Sequence, residues 1–75
     1  MYEVDNTVIY NNTIESNDYS GIVITSSNSN KIVDNTIKAN GKYGIGVTND
    51  ITRSANNTIK DNIINDNQDW AVYVN

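Results

Sequence analysis

The stretch Asn-Thr-Ile-Lys-Ala-Asn-Gly-Lys-Tyr-Gly-Ile-Gly-Val at residues 35–47 decides the fold, because related stretches occur before and after it. The earlier copy starts at Asn12, 23 residues upstream of Asn35, and the later copy starts at Asn62, 27 residues downstream. Repetition with a period of about 20–50 residues is the signature of a solenoid, in which each copy is a coil that stacks on its neighbours. The sequence therefore predicts a single domain, residues 1–75, of about three coils.

Each copy divides into three short β-strands. In the second copy we expect them at residues 30–34, 36–39 and 43–47, since apolar and polar residues alternate along each segment. The same offsets place aliphatic residues above one another in the stacked coils. The predicted inward columns are Ile14/Ile37/Ile64, Ile22/Ile45/Val72, Ile24/Val47/Val74 and Ile32/Ile59. The first-coil member of the last column is either Val8 or Ile9.

Asparagine recurs at the corners between strands. A tight corner needs a residue that tolerates the left-handed region, and glycine and asparagine do so best. We therefore expect Asn35 in a left-handed or otherwise restricted conformation, and Asn40-Gly41 at the next turn. Coils of a parallel stack lie about 4.8 Å apart, close enough for asparagine amides to bond along a column. The predicted ladder columns are Asn12/Asn35/Asn62 and Asn17/Asn40/Asn67.

Composition excludes several classes of protein and of site. The chain has no cysteine and no histidine, which rules out disulfides and the commonest zinc ligands. Its net charge is −4 and its five basic residues are scattered, which argues against binding to nucleic acid or to an anionic membrane surface. No apolar run approaches the roughly 20 residues that cross a bilayer, and no signal peptide opens the chain. Fifteen asparagines are also typical of a disordered segment, but eleven isoleucines at repeating offsets favour a fold.

The pattern Asn-x-Ile-x-x-Asn followed by Tyr-Gly-Ile-x-Val resembles the right-handed parallel β-helix repeats of the pectin-lyase-like superfamily. It is most similar to the branch of carbohydrate-binding and sugar-hydrolysis modules, which includes periplasmic copper-maturation proteins and alginate epimerases. The resemblance covers about residues 6–75 and rests on corner and core positions. It implies an all-β fold, a right-handed parallel β-helix with three short strands per coil, and favours an extracellular or cell-envelope location.

Two carboxylates are the candidates for chemistry. Asp34 and Asp61 hold equivalent positions on adjacent coils, so we expect them roughly 5 Å apart, the separation found in retaining glycosidases. The pair could act as a hydrolytic dyad or bind a cation such as calcium. The alternative is that both are solvated carboxylates that precede a corner and have no chemical role. Enzymes of the similar superfamily combine aspartate clusters with a basic residue. The single arginine here lies in the loop at residues 49–56, whose four extra residues either bind a ligand or are a tolerated insertion.

Aromatic side chains gather before the third strand of each coil. Tyr19, Tyr43 and Trp70 precede it, and Tyr73 is expected to point outward from it. Flat rings with a polar edge suit the faces of sugars, so a row of them would form a polysaccharide track. The same rings are also explained as covers for the corner that pack on the neighbouring glycines.

These observations predict a non-catalytic β-helix module, structural or polysaccharide-binding, with no cofactor or metal. The alternative is a fragment of a polysaccharide lyase, epimerase or glycoside hydrolase acting on uronans. The segment 2–4 has the pattern of a third strand, and neither end shows a capping helix, a proline or a charge-rich strand. We therefore expect a module of a longer β-helix that associates through its ends, with copies of itself or with its parent's coils. The predicted contact residues are Val4, Val8, Ile9, Ile64, Val72 and Val74.

Overall fold

The computed structural model describes residues 1–50 and 52–75, and within these ranges it contains nine short strands and no helix. Three strands form each coil, as the repeat predicts, although the third strand begins and ends later in the repeat than expected. The strands are β1 Val8–Tyr10, β2 Thr13–Glu15, β3 Ile22–Thr25, β4 Lys31–Val33, β5 Thr36–Lys38, β6 Ile45–Thr48, β7 Thr58–Lys60, β8 Ile63–Asn65 and β9 Val72–Val74.

Strands that are equivalent in successive coils pair in parallel and form three sheets. Their orders are β1-β4-β7, β2-β5-β8 and β3-β6-β9, so the chain is a parallel β-helix of three coils. The register joins Ile14 to Ile37 and Ile37 to Ile64, and the other predicted aliphatic columns are confirmed in the same way. Tyr2 pairs in parallel with Thr25 and continues the third sheet, but Glu3 has φ of 51° and already turns the chain, so the predicted strand at residues 2–4 is confirmed only at Tyr2.

The open register of the first coil is settled in favour of Ile9. Ile9 pairs with Ile32, which pairs with Ile59, and Ile9 packs against the core. Val8 pairs with the exposed Lys31 and is itself 61% exposed. The inclusion of Val8 in an end contact is therefore wrong, because its side chain lies on the outer side of the first sheet.

The core lies in the middle of the stack. Ile24, Ile32, Ile37 and Ile45 have no exposed surface, because a coil covers them on one or both sides along the column. Full burial of such a side chain contributes roughly 1.5–3 kcal/mol to folding. The equivalent residues of the outer coils are only partly buried; these are Ile9, Ile14, Ile59, Ile64 and Val72. In the first coil Ile24 is an exception, because Met1 packs against the core before it.

The corners use a pair of residues with different tasks. Of the two conformations predicted for Asn35, left-handed or otherwise restricted, the left-handed one is wrong: the preceding Asp34 takes it, with φ of 55°. The left-handed residue is exposed and turns the chain, whereas the next residue directs its amide into the wall of the helix. An exposed left-handed residue recurs at the equivalent corners of three columns: Asn6/Ser29/Asn56, Asn11/Asp34/Asp61 and Ser16/Ala39/Asp66.

The glycines of this chain are explained by close packing against neighbouring coils, and not by the ability of glycine to adopt a positive φ. None of the four glycines has a positive φ, so the expectation that Gly41 supplies a left-handed turn is wrong. A Cβ on Gly41 would overlap the backbone of Asp18. A Cβ on Gly21 would lie 2.6 Å from Cγ2 of Ile37 and 2.8 Å from the carbonyl oxygen of Gly44. Because glycine has no Cβ at these positions, the corners of neighbouring coils can lie close together.

Candidate binding face

Asparagine side chains form hydrogen-bonded ladders inside the wall of the helix. Asn35 is 1% exposed, and its backbone N–H and side-chain Nδ2 both donate to Oδ1 of Asn62, at 2.9 and 3.1 Å. Asn12 donates to Oδ1 of Asn35 in the same way, at 2.9 and 3.3 Å. The second column repeats the arrangement along Asn17, Asn40 and Asn67. All six asparagines therefore take part in hydrogen bonds that join neighbouring coils.

Two further columns of the same kind are present. The backbone N–H of Thr7 donates to Oδ1 of Asn30, and that of Asn30 donates to Oδ1 of Asn57. The backbone N–H of Ser27 similarly donates to Oγ of Ser54, at 3.0 Å. The 27-residue spacing of Asn30 and Asn57 could have revealed the first of these columns. It was obscured because the first coil carries threonine at the equivalent position.

Three aromatic residues come together on the outer side of the third sheet. The rings of Tyr43 and Tyr73 are stacked, with centroids 4.6 Å apart and planes 9° apart. Trp70 meets Tyr73 edge to face, with centroids 6.4 Å apart and an interplanar angle of 74°. We call Tyr43, Trp70 and Tyr73 the aromatic face. Each arrangement is one that aromatic quadrupoles favour.

Gly46 makes the aromatic face possible. It pairs with Tyr73 in the sheet, and a Cβ on Gly46 would lie 3.2 Å from Cδ2 of Tyr43. Because Gly46 has no side chain, the ring of Tyr43 lies over its backbone and occupies the place of an outward residue. The ring then reaches Tyr73 on the adjacent strand. The result is a pair of stacked rings contributed by two coils.

Tyr19 belongs to a different column. Ser20 is the first-coil equivalent of Tyr43, since the backbone N–H of Tyr43 donates to Oγ of Ser20 at 3.3 Å. Trp70 is the third-coil equivalent, since the N–H of Gly44 donates to the Trp70 carbonyl. Tyr19 precedes this column by one residue, is 75% exposed, and forms no ring pair within the described part of the chain. The four predicted rings therefore do not form one row.

The aromatic face has an exposed ring and a neighbouring positive charge. Trp70 is 64% exposed, while Tyr43 and Tyr73 are half-buried. Nζ of Lys42 lies 5.0 Å from the centroid of the Tyr43 ring, within cation–π distance. The aromatic face thus offers the exposed indole of Trp70, two phenolic hydroxyls and one ammonium group, a combination that suits the alternating C–H and hydroxyl groups of a sugar ring.

Asp34 and Asp61 are the exposed, left-handed residues of one corner column. Both have φ near 55°, and the backbone N–H of Asp34 donates to the carbonyl of Lys60. Aspartate is among the few residues that adopt this conformation without a large penalty, which explains both side chains as turn formers. No group of three acidic residues gathers in the residues that the structure describes, and these residues enclose no pocket.

The insertion between β6 and β7 is held by a buried hydroxyl. Oγ of Ser26, which is 3% exposed, accepts from the N–H groups of Asp50 and Thr52 and donates to the Thr52 carbonyl at 2.9 Å. The hydroxyl of Tyr2 donates to Oδ2 of Asp50 at 2.9 Å, and this hydrogen bond raises the pKa of Tyr2 above its usual value. Ile51 of the loop lies outside the described residues. The loop is thus tied to the preceding coils at several points.

Comparison with known families decides the class of this fold. A family model described as a right-handed β-helix region matches residues 1–75. The chain belongs to this family. No curated protein and no solved structure matches it. The family description identifies the β-helix as right-handed. Among the residues that the structure describes, no helix is long and apolar enough to cross a membrane.

Proposed function

We propose that this β-helix is a non-catalytic polysaccharide-binding module, and that the aromatic face is its binding surface. The observation that carries the proposal is the cluster of Tyr43, Trp70 and Tyr73 on the outer side of a rigid sheet. A contiguous patch of exposed apolar surface, especially one rimmed by polar groups, often marks a binding site. The likeness to pectin-lyase-like carbohydrate-binding repeats supports the same ligand class.

The geometry of the face favours binding at a low cost in conformational entropy. Tyr43 is already confined between Tyr73 and Lys42, so few rotamers are lost when a ligand arrives. The exposed face of Trp70 can cover the C–H side of one sugar residue. The tyrosine hydroxyls can exchange hydrogen bonds with sugar hydroxyls, and the Lys42 ammonium can donate to a hydroxyl or pair with a uronate carboxylate.

Calorimetric titration with polysaccharides tests this proposal. The panel contains a neutral glucan, pectin and alginate, which separates recognition of the sugar face from recognition of a carboxylate. Trp70→Ala should weaken binding by about tenfold or more, the size expected when an aromatic anchor is removed. Tyr19→Ala is the matched control, because Tyr19 is exposed and forms no ring pair with the face. Binding to none of the three polymers, or equal loss in the two variants, would overturn the proposal.

The alternative is a fragment of a lyase, epimerase or glycoside hydrolase acting on uronans. The observation in its favour is the position of Asp34 and Asp61 in one column of adjacent coils. We expect no turnover of uronans, with or without calcium, because the two carboxylates are exposed turn residues and no pocket surrounds them. Release of unsaturated or reducing sugar that disappears in Asp34→Asn and Asp61→Asn would establish the enzyme instead.

A structural role through the ends of the helix is compatible with polysaccharide binding. The aromatic face lies on the side of the stack, whereas the partly buried isoleucines lie in its first and third coils. We propose that the end surfaces associate with other β-helix coils.

A further inference from the structure

One asparagine of the chain is followed directly by glycine: Asn40, which precedes Gly41 in the second coil. This pair is the one most prone to deamidation in peptides, because glycine has no side chain to hinder its backbone nitrogen. The nitrogen of Gly41 attacks Cγ of Asn40, and a cyclic succinimide forms while the side-chain nitrogen and the Gly41 amide proton leave as ammonia. Water then opens the ring to aspartate or to isoaspartate, in which the main chain runs through the side-chain carbon.

The fold holds both reacting groups in hydrogen bonds. Asn40 is 2% exposed, and its Nδ2 donates to Oδ1 of Asn67 at 3.0 Å and to the Ile14 carbonyl at 3.3 Å. Its Oδ1 accepts from Nδ2 and from the backbone N–H of Asn17, at 2.8 and 3.2 Å. The N–H of Gly41 donates to the Asn17 carbonyl at 2.8 Å. The attack therefore needs these hydrogen bonds to break first.

The packing of the corner requires the same two residues that react. A Cβ on Gly41 would overlap the backbone of Asp18, so this position requires glycine. The ladder requires an amide at Asn40, because a carboxylate has no hydrogen to donate to Oδ1 of Asn67 or to the Ile14 carbonyl. The β-helix thus both demands the reactive pair and shields it.

We propose that Asn40 is a deamidation site that the asparagine ladder protects, and that its reaction makes opening of the second coil irreversible. The pair reacts only while the coil is open. Aspartate at this position places a charge against two acceptors in a buried site, and isoaspartate adds a carbon to the main chain at a tight corner. Neither product rebuilds the ladder, so the lifetime of the domain is set by how often this coil opens.

Asn35 is the matched control within the same chain. It holds the equivalent place in the other ladder, is 1% exposed, and donates from Nδ2 to Oδ1 of Asn62. The residue that follows it is Thr36, whose branched side chain hinders attack by the backbone nitrogen. The fold therefore protects Asn35 and Asn40 alike, and only the chemistry of the next residue separates them once the chain is unfolded.

Peptide mapping by mass spectrometry tests the proposal on the intact chain, incubated in mildly alkaline buffer with and without urea. In urea, Asn40 should deamidate about tenfold faster than Asn35 or more. Without urea, the rate at Asn40 should fall by about a hundredfold or more, because the reaction must wait for an opening of the native coil. Ile37→Val, which loosens the core without touching the pair, should raise the rate without urea by about two- to tenfold.

Refolding after removal of urea tests the second half of the proposal. The fraction of chains that recover the native circular dichroism should fall in step with the fraction deamidated at Asn40, and Asn40→Asp should unfold at a lower urea concentration than the wild type. Equal rates at Asn40 with and without urea, or equal rates at Asn35 and Asn40 in urea, would overturn the protection or the assignment of the site. A deamidated chain that refolds with wild-type stability would overturn the irreversibility.

Discussion

Replacement of Asn35 by leucine should destabilise the domain through its hydrogen bonds alone. The side chain of Asn35 donates from Nδ2 to the Ile9 carbonyl at 3.0 Å and to the Val33 carbonyl at 3.1 Å, and its Oδ1 accepts from the backbone N–H of Asn12. Leucine is nearly isosteric but removes all of these bonds. No backbone strain is released or added, because the left-handed residue of this corner is Asp34 and not Asn35.

The magnitude follows from which groups lose their partners. The Val33 carbonyl keeps a second donor, the N–H of Asn11, and Asn12 is exposed, so water can replace Asn35 there. The Ile9 carbonyl keeps the sheet N–H of Val33 that the register of β1 and β4 gives it, so the cost is the loss of the hydrogen bonds of the Asn35 side chain, about 1–3 kcal/mol in total. A domain of this length has a total stability of about 4–11 kcal/mol, so the midpoint of thermal unfolding should fall by about 5–20 °C.

Asn12→Leu provides a matched control for this prediction. The change in chemistry is identical, but Asn12 is exposed in the first coil, and the expected loss is below about 1 kcal/mol. Urea unfolding followed by far-ultraviolet circular dichroism gives both values under the same conditions. Equal destabilisation in the two variants, or an Asn35→Leu variant as stable as the wild type, would show that burial of the ladder does not stabilise the fold.

Two further predictions concern the corner of the second coil and the inserted loop. Ala39→Gly should stabilise the domain by up to about 1 kcal/mol in urea unfolding, because Ala39 has φ of 56° and a side chain in that region costs roughly 1–2 kcal/mol, of which the flexibility of glycine removes part. Ala55→Gly should instead destabilise it, since Ala55 has no positive φ; stabilisation by both changes would refute the argument. Tyr2 should ionise at a higher pH than an ordinary tyrosine, as measured by tyrosinate absorbance, because its hydrogen bond to Asp50 raises its pKa. Its contribution to stability should be complete below a pH of about 10 and be lost as pH rises through the raised pKa. Asp50→Asn should bring the Tyr2 titration back toward the ordinary value, and an unchanged titration would mean that the hydrogen bond is not formed in solution.

The spacing of the repeats was enough to predict which residues stack. Parallel coils of equal shape place equivalent residues above one another, so an offset of 23 and then 27 residues fixes the columns without any knowledge of side-chain contacts. The alternation of apolar and polar residues then decides which side of each strand faces the core. For this reason the columns through Ile37 and Ile45 could be read directly from the sequence.

The candidate site could be predicted only in part. The sequence places Tyr43 and Trp70 at equivalent positions, but it contains no sign that the Tyr43 ring lies over Gly46 and stacks on Tyr73. That contact depends on the direction of a side chain across two strands. The separation of Tyr19 from the other rings is a difference of one residue in register, and only the hydrogen bonds of Ser20 and Gly44 decide it.

The sequence by itself thus determined the stacking of coils, because that property depends only on spacing and on the period of the strand. Only the tertiary structure decided which residue of each corner pair turns the chain, as with Asp34 and Asn35. Both residue types tolerate the left-handed region, and the choice between them is made by the amide that can reach the neighbouring coil. The direction of the ladder, in which the N–H of one asparagine donates to Oδ1 of the next, follows from the same contacts between coils and has no counterpart in the order of residues.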